Sequence, residues 1–66
     1  MSYATQIRKI APAYDPRHVE AIMRAEHGTL DHFSAEEFAA EVTVAVLAIE
    51  IGGEQLAEAV ARTYGL

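Results

Sequence analysis

The chain is 66 residues long, carries a formal net charge of −5 and contains no cysteine. That length leaves room for one small domain over residues 1–66 and excludes a second core and a disulfide framework. The composition is 52% hydrophobic, but thirteen of those residues are alanine, which favours helix while adding little buried area. A scaffold of this size needs a further source of stability, and without disulfides a second subunit is one of the few remaining.

The first segment, about residues 2–11, places Tyr3, Ile7 and Ile10 at helical spacing, and Pro12 stops it. Arg8 and Lys9 fall in its last turns, where the helix dipole favours cations. The second, residues 16–27, opens with Asp15 as N-cap and Pro16 as first helical residue, and closes at Gly28. Val19, Ile22, Met23 and Glu26 are predicted to face inward, with Glu20 and Arg24 paired on the outer side. Thr29 to Phe33 form a short connection from which Leu30 points into the core.

The third segment has the sharpest start. In Phe33-Ser-Ala-Glu-Glu-Phe38, Ser34 and Glu37 have capping-box spacing, and Phe33 and Phe38 are placed for a hydrophobic staple. The helix runs to about Ile51, roughly 25 Å at 1.5 Å per residue. From Val42 to Ile49 it carries no charge. One stripe holds Val42, Val46 and Ile49; another holds Val44, Leu47 and Ile51. The β-branched run also admits a buried strand, but the capping box and the alanines favour helix. A helix apolar on most sides must be covered on most sides. Three other short helices cannot enclose it, so Val44, Leu47 and Ile51 are predicted to meet a second copy of the chain. Gly52-Gly53 ends or kinks this helix. The fourth segment, residues 54–64, has Leu56, Val60 and Tyr64 on one side and Glu58 paired with Arg62 on another. Gly65-Leu66 has the form of a glycine cap, and the chain reads as complete there. The expected fold is a compact all-α bundle of four short helices with the third central.

Charge is uneven. Residues 1–25 hold four basic and two acidic groups, for a net of +2, whereas residues 26–66 hold eight acidic groups and one arginine, for −7. The acidic part repels phosphates and favours a basic partner surface, unless it is simply a solvated face that keeps the chain soluble. Glu36, Glu37 and Glu41, with Glu50, Glu54 and Glu58 about the far end, would present carboxylates to a basic cleft. The alternative is a dimeric nucleic-acid-associated regulator using Arg8, Lys9, Arg17 and Arg24, a weak footprint against an acidic bulk. Leu56 to Leu66 resembles the first helix and turn of a helix-turn-helix, but no recognition helix follows.

His18, His27 and His32, with Glu20, Glu26 and Asp31 nearby, are the side chains best suited to a divalent metal, yet their spacing matches no helical metal motif. No metal or other cofactor is expected. Nor is an enzyme: there is no cysteine nucleophile, the serines are Ser2 and the capping Ser34, and no phosphate loop is present. The His27-Gly-Thr-Leu-Asp-His32 turn is a candidate interaction surface through His27, Thr29, Asp31 and His32, continuing to Glu36, Glu37 and Glu41. Read structurally, it is a rigid turn in which Thr29 and Asp31 satisfy loose backbone groups. No apolar run reaches the roughly 20 residues of a membrane span, the first ten residues lack a signal-peptide core, and a cytoplasmic setting is the default.

The stretch Arg17-His-Val-Glu-Ala-Ile-Met-Arg-Ala-Glu-His-Gly-Thr-Leu-Asp31, with Phe38 and Glu41, resembles short uncharacterised proteins of bacterial and phage-related genomes. The resemblance brings no catalytic residue, ligand or partner. It points to a mobile-element setting, whose small acidic helical proteins often resemble inhibitors of host defence or regulators. The function expected on all these grounds is a non-catalytic protein-binding module, neither an enzyme nor a membrane protein, acting as a homodimer with an unidentified protein partner.

Overall fold

Each helix begins and ends where local chemistry requires. In the computed structural model, which describes residues 2–66, the helices are α1 (Tyr3–Ile10), α2 (Pro16–His27), α3 (Ala35–Gly52) and α4 (Glu54–Thr63). These bounds lie within a residue of those predicted, the ordinary uncertainty of a fraying helix end. Ser2 caps α1 by accepting from the Thr5 N–H, and Ala11 before Pro12 leaves the helical region at φ −133°, ψ 70°. Asp15 caps α2 by accepting from the Arg17 N–H at 2.9 Å, and Gly28 ends it. The capping box of α3 is complete: Ser34 Oγ accepts from the Glu37 N–H at 3.2 Å, and Glu37 Oε1 accepts from the Ser34 N–H at 2.8 Å.

Gly53 does two jobs. Its N–H closes α3 on the Ile49 carbonyl at 2.7 Å, and its own carbonyl accepts from Ala57 to open α4. It does so at φ 87°, a region that a residue with a Cβ enters at a cost. The chain therefore turns at Gly53, and the helix stops without a kink. At the end of α4, Leu66 donates to the Ala61 carbonyl and Gly65 to the Arg62 carbonyl, the paired bonds of a Schellman motif.

The core gathers Ile7, Val19, Met23 and Val42, all fully buried, with Leu30, Phe38 and Ile49 around them. The third helix touches each of the other three, and α2 shares that central position, burying His18, Val19, Ala21, Ile22 and Met23. The outer pair, α1 and α4, do not pack on each other.

Glu26 and the Glu20–Arg24 pair depart from their expected places, and the packing faces of α1 and α4 become clear. Glu26 is exposed, because the core side of α2 ends with Met23 and the connecting Leu30 takes the space below it. The fourth helix buries Ala57 and Ala61, not the larger side chains: Leu56 is 53% exposed, Tyr64 is 45% exposed and Val60 is half-buried. Small side chains let α4 lie close on α2, so its alanine face became the packing face. Ile10 is also exposed, on the last turn of α1. The Glu20–Arg24 pair forms at 2.9 Å, but inward of where it was expected, with the Glu20 side chain only 12% exposed. It lies there because Arg24 sits 5.7 Å from the centre of the Tyr3 ring, under the cover of α1.

Candidate functional site

The third helix buries one side and shows an equally apolar opposite side. Phe38, Val42, Ala45 and Ile49 face the core. Across the helix, Val44, Leu47 and Ile51 are 45%, 54% and 88% exposed. With exposed Ala40 they recur at spacings of four, three and four, the seam of a two-stranded helical contact. This face is left uncovered by the other helices, and Leu56 extends it. Leu56 reaches back over Gly52, where an added Cβ would meet Leu56 Cδ2 at 2.7 Å. The absent side chain at Gly52 is what seats Leu56 at the end of the strip. On its other flank, Thr43 and Val46 line a groove with Ile10, Pro12 and Tyr14, so apolar surface continues around the helix.

The residues predicted to form a surface around the second turn are brought together there, but most are engaged within the fold. His27 Nε2 donates to Glu41 Oε1 at 2.9 Å, tying the end of α2 to α3. Its ring also meets Phe33 edge-on at 5.0 Å, while His32 lies tilted on Phe33 at 4.1 Å. Thr29 Oγ1 accepts from the Asp31 N–H at 3.4 Å, the backbone role foreseen for it. The Asp31 carboxylate instead accepts from the Tyr3 hydroxyl, and this bond raises the Tyr3 pKa. Tyr3 stacks on Phe38 with centroids 5.9 Å apart, so one phenol joins α1, the turn and α3. A tyrosine on an apolar face needs a polar partner for its hydroxyl, and that was the available signal for this contact. Glu37 is held by the capping box, and the Ser34 hydrogen bonds lower its pKa. Glu36 is exposed and makes no ion pair among the described residues.

A second polar cluster was not foreseen. His18, only 9% exposed, donates from Nε2 to Glu58 Oε1 at 2.9 Å. An ionised carboxylate only accepts, so the proton of this bond lies on the imidazole. Arg17 reaches the same Oε1 at 2.7 Å, Asp15 at 3.4 Å and the Leu66 carbonyl at 3.1 Å. The His18 and Arg17 bonds hold the Glu58 carboxyl down at about 2. The expected Glu58–Arg62 pair forms at 3.4 Å, but it is the looser of the contacts Glu58 makes. Likewise Tyr14 donates to Glu50 at 2.6 Å, which raises the Tyr14 pKa.

The four candidate nucleic-acid contacts do not make one free basic patch. Arg17 and Arg24 are each paired with carboxylates, whereas Arg8 and Lys9 on α1 make no ion pair among the described residues. No group of three His, Asp or Glu side chains among the described residues is arranged to hold a metal ion. His18 lies against Glu58, whereas His27 and His32 flank the same Phe33 ring. No described helix is long and apolar enough to cross a membrane. Comparisons with protein-family models, curated proteins and solved structures find no match.

Proposed function

We propose that this chain is a non-catalytic protein-binding module that works as a homodimer. The observation that carries the reading is the exposed row Val44, Leu47 and Ile51 on the longest helix. Aliphatic side chains gathered on one uncharged strip mark an association surface more often than a solvated one. The self-association strip lies between the acidic ends of α3, where Glu36 and Glu54 are exposed. In this reading the acidic surface meets a basic protein partner, as an inhibitor or accessory factor of a mobile element would. Charges at the edge of such a contact mainly steer association and set specificity. The cysteine-free chain suits the reducing cytoplasm as its setting.

A nucleic-acid regulator is the weaker reading, because Arg17 and Arg24 already have carboxylate partners. The two separate in one experiment: tagged protein is captured from the native cell's lysate at low and high salt, with proteins and nucleic acid both identified. A stoichiometric basic protein that leaves with salt, and leaves more readily from Glu36→Gln, is the expected result. Nucleic acid that is lost on changing Arg8 and Lys9 would replace the module reading with the regulator. Light scattering of the pure chain should give twice its 7.2 kDa mass.

A further inference from the structure

Granted the homodimer proposed above, we infer that its two copies pack α3 against α3 antiparallel, about a two-fold axis near Leu47. A two-fold contact must place one surface against itself, so a chain of net charge −5 needs a face without opposed carboxylates. The span from Val42 to Ile49 carries no charge, and the exposed strip runs along it. That is why a second copy suits this strip better than a basic partner, whose charges would find nothing to pair with there.

The distribution of side-chain size sets the direction. The strip begins with small Ala40 and ends with Ile51 and Leu56, so it is thin at one end and thick at the other. An antiparallel partner brings thick against thin: Val44 meets Ile51, Leu47 lies at the axis beside Ala48, and Leu56 fills the space left over Ala40. A parallel partner would oppose two Ile51 side chains at one end and leave a void between two alanines at the other. It would also bring together the first turns of both helices, each carrying Glu36 and Glu37. In the antiparallel arrangement each of those turns lies instead toward the partner's Glu50 and Glu54, so side-chain size, and not charge, sets the direction.

The strip supplies part of the area that a stable pair needs. Val44, Leu47, Ile51 and Leu56 together offer roughly half of the ~800 Å² that each partner brings to a standard interface. The adjoining groove along Thr43 and Val46 extends the surface toward the remainder.

The absence of cysteine makes the direction directly readable. Val44→Cys and Ile51→Cys are oxidised separately and as a mixture, and the oligomer mass is followed for each and for Leu47→Glu. A disulfide forms only where Cα atoms come within about 7 Å. The expected result is a cross-link between the two variants in the mixture and little in either alone. Leu47→Glu should run as a monomer with helical circular dichroism. Cross-linking of Ile51→Cys with itself would overturn the antiparallel arrangement while leaving the dimer intact. A dimer mass with no cross-link in any sample would move the contact off this strip and overturn the proposal. A monomer mass at every concentration would remove the homodimer itself. Should Leu47→Glu fail to fold, the cysteine variants, which change little volume on an exposed face, still decide.

Discussion

Glu58 is the most heavily used carboxylate of the chain. It joins α4 to α2 through His18 and Arg17, and both contacts favour its ionised form. A carboxyl at about 2 in the fold and near 4.5 unfolded supplies stability that is present above the unfolded value. That stability is lost as the pH falls through the folded value. The native state is therefore expected to weaken between about pH 5 and pH 2, because protonating Glu58 releases both partners. Thermal melts across that window should show a falling midpoint in the native chain and a shallower fall in Glu58→Gln. Equal slopes in the two proteins would mean that other carboxylates set the acid limb. Glu37, also lowered, contributes with the same sign through the capping box and accounts for part of the residual slope. The contacts of Glu58 with α2 were not legible in the sequence, since His18 and Glu58 lie forty positions apart and neither belongs to a motif. The i,i+4 rule found the Glu58–Arg62 contact and missed the closer ones.

At the scale of the helix, what could be read locally was read well. Caps, prolines and glycines act on their immediate neighbours, so Ser34, Asp15, Pro16, Gly28 and Gly53 fixed the helix ends from the sequence alone. Which face turns inward depends on what lies opposite. The fourth helix shows the consequence: its large residues suggested one face, but contact with α2 selected Ala57 and Ala61. The candidate turn surface shows the same dependence on what lies opposite. His27, Asp31 and Glu41 were grouped correctly in space, but their partners within the fold could not be read from their own segment. The capping box is where a local device can be tested. Ser34→Ala removes the acceptor of the Glu37 N–H and should cost about 1 kcal/mol. Chemical denaturation should then show a lower midpoint with an unchanged denaturant slope, since the surface exposed on unfolding is the same. A change below the error of the fit would mean that the Phe33 and Phe38 packing alone holds the start of α3.

The whole molecule combines a thin core with a strip of exposed aliphatics, and the two facts explain each other if folding and association are coupled. A chain of this size buries only about 60% of its unfolded surface and stands near the limit of independent stability. Covering Val44, Leu47, Ile51 and Leu56 with a second copy adds apolar burial that the monomer cannot reach. Association of this kind makes stability depend on concentration, because unfolding then releases two chains from one particle. A tenfold rise in concentration adds about 1.4 kcal/mol of apparent stability to the dimer, which for two such chains corresponds to a melting point higher by roughly 5 °C. Melts of the native chain at two concentrations tenfold apart should show that rise, and Leu47→Glu should melt lower with no dependence on concentration. Identical melting points for the native chain would mean that four short helices suffice for stability, and that the apolar strip serves a different partner. The acidic ends of α3 would flank the covered strip, so each end of the dimer gathers Glu36 of one copy and Glu54 of the other for a basic protein. Two such surfaces on one particle would raise apparent affinity for a partner that is itself paired, without any new contact.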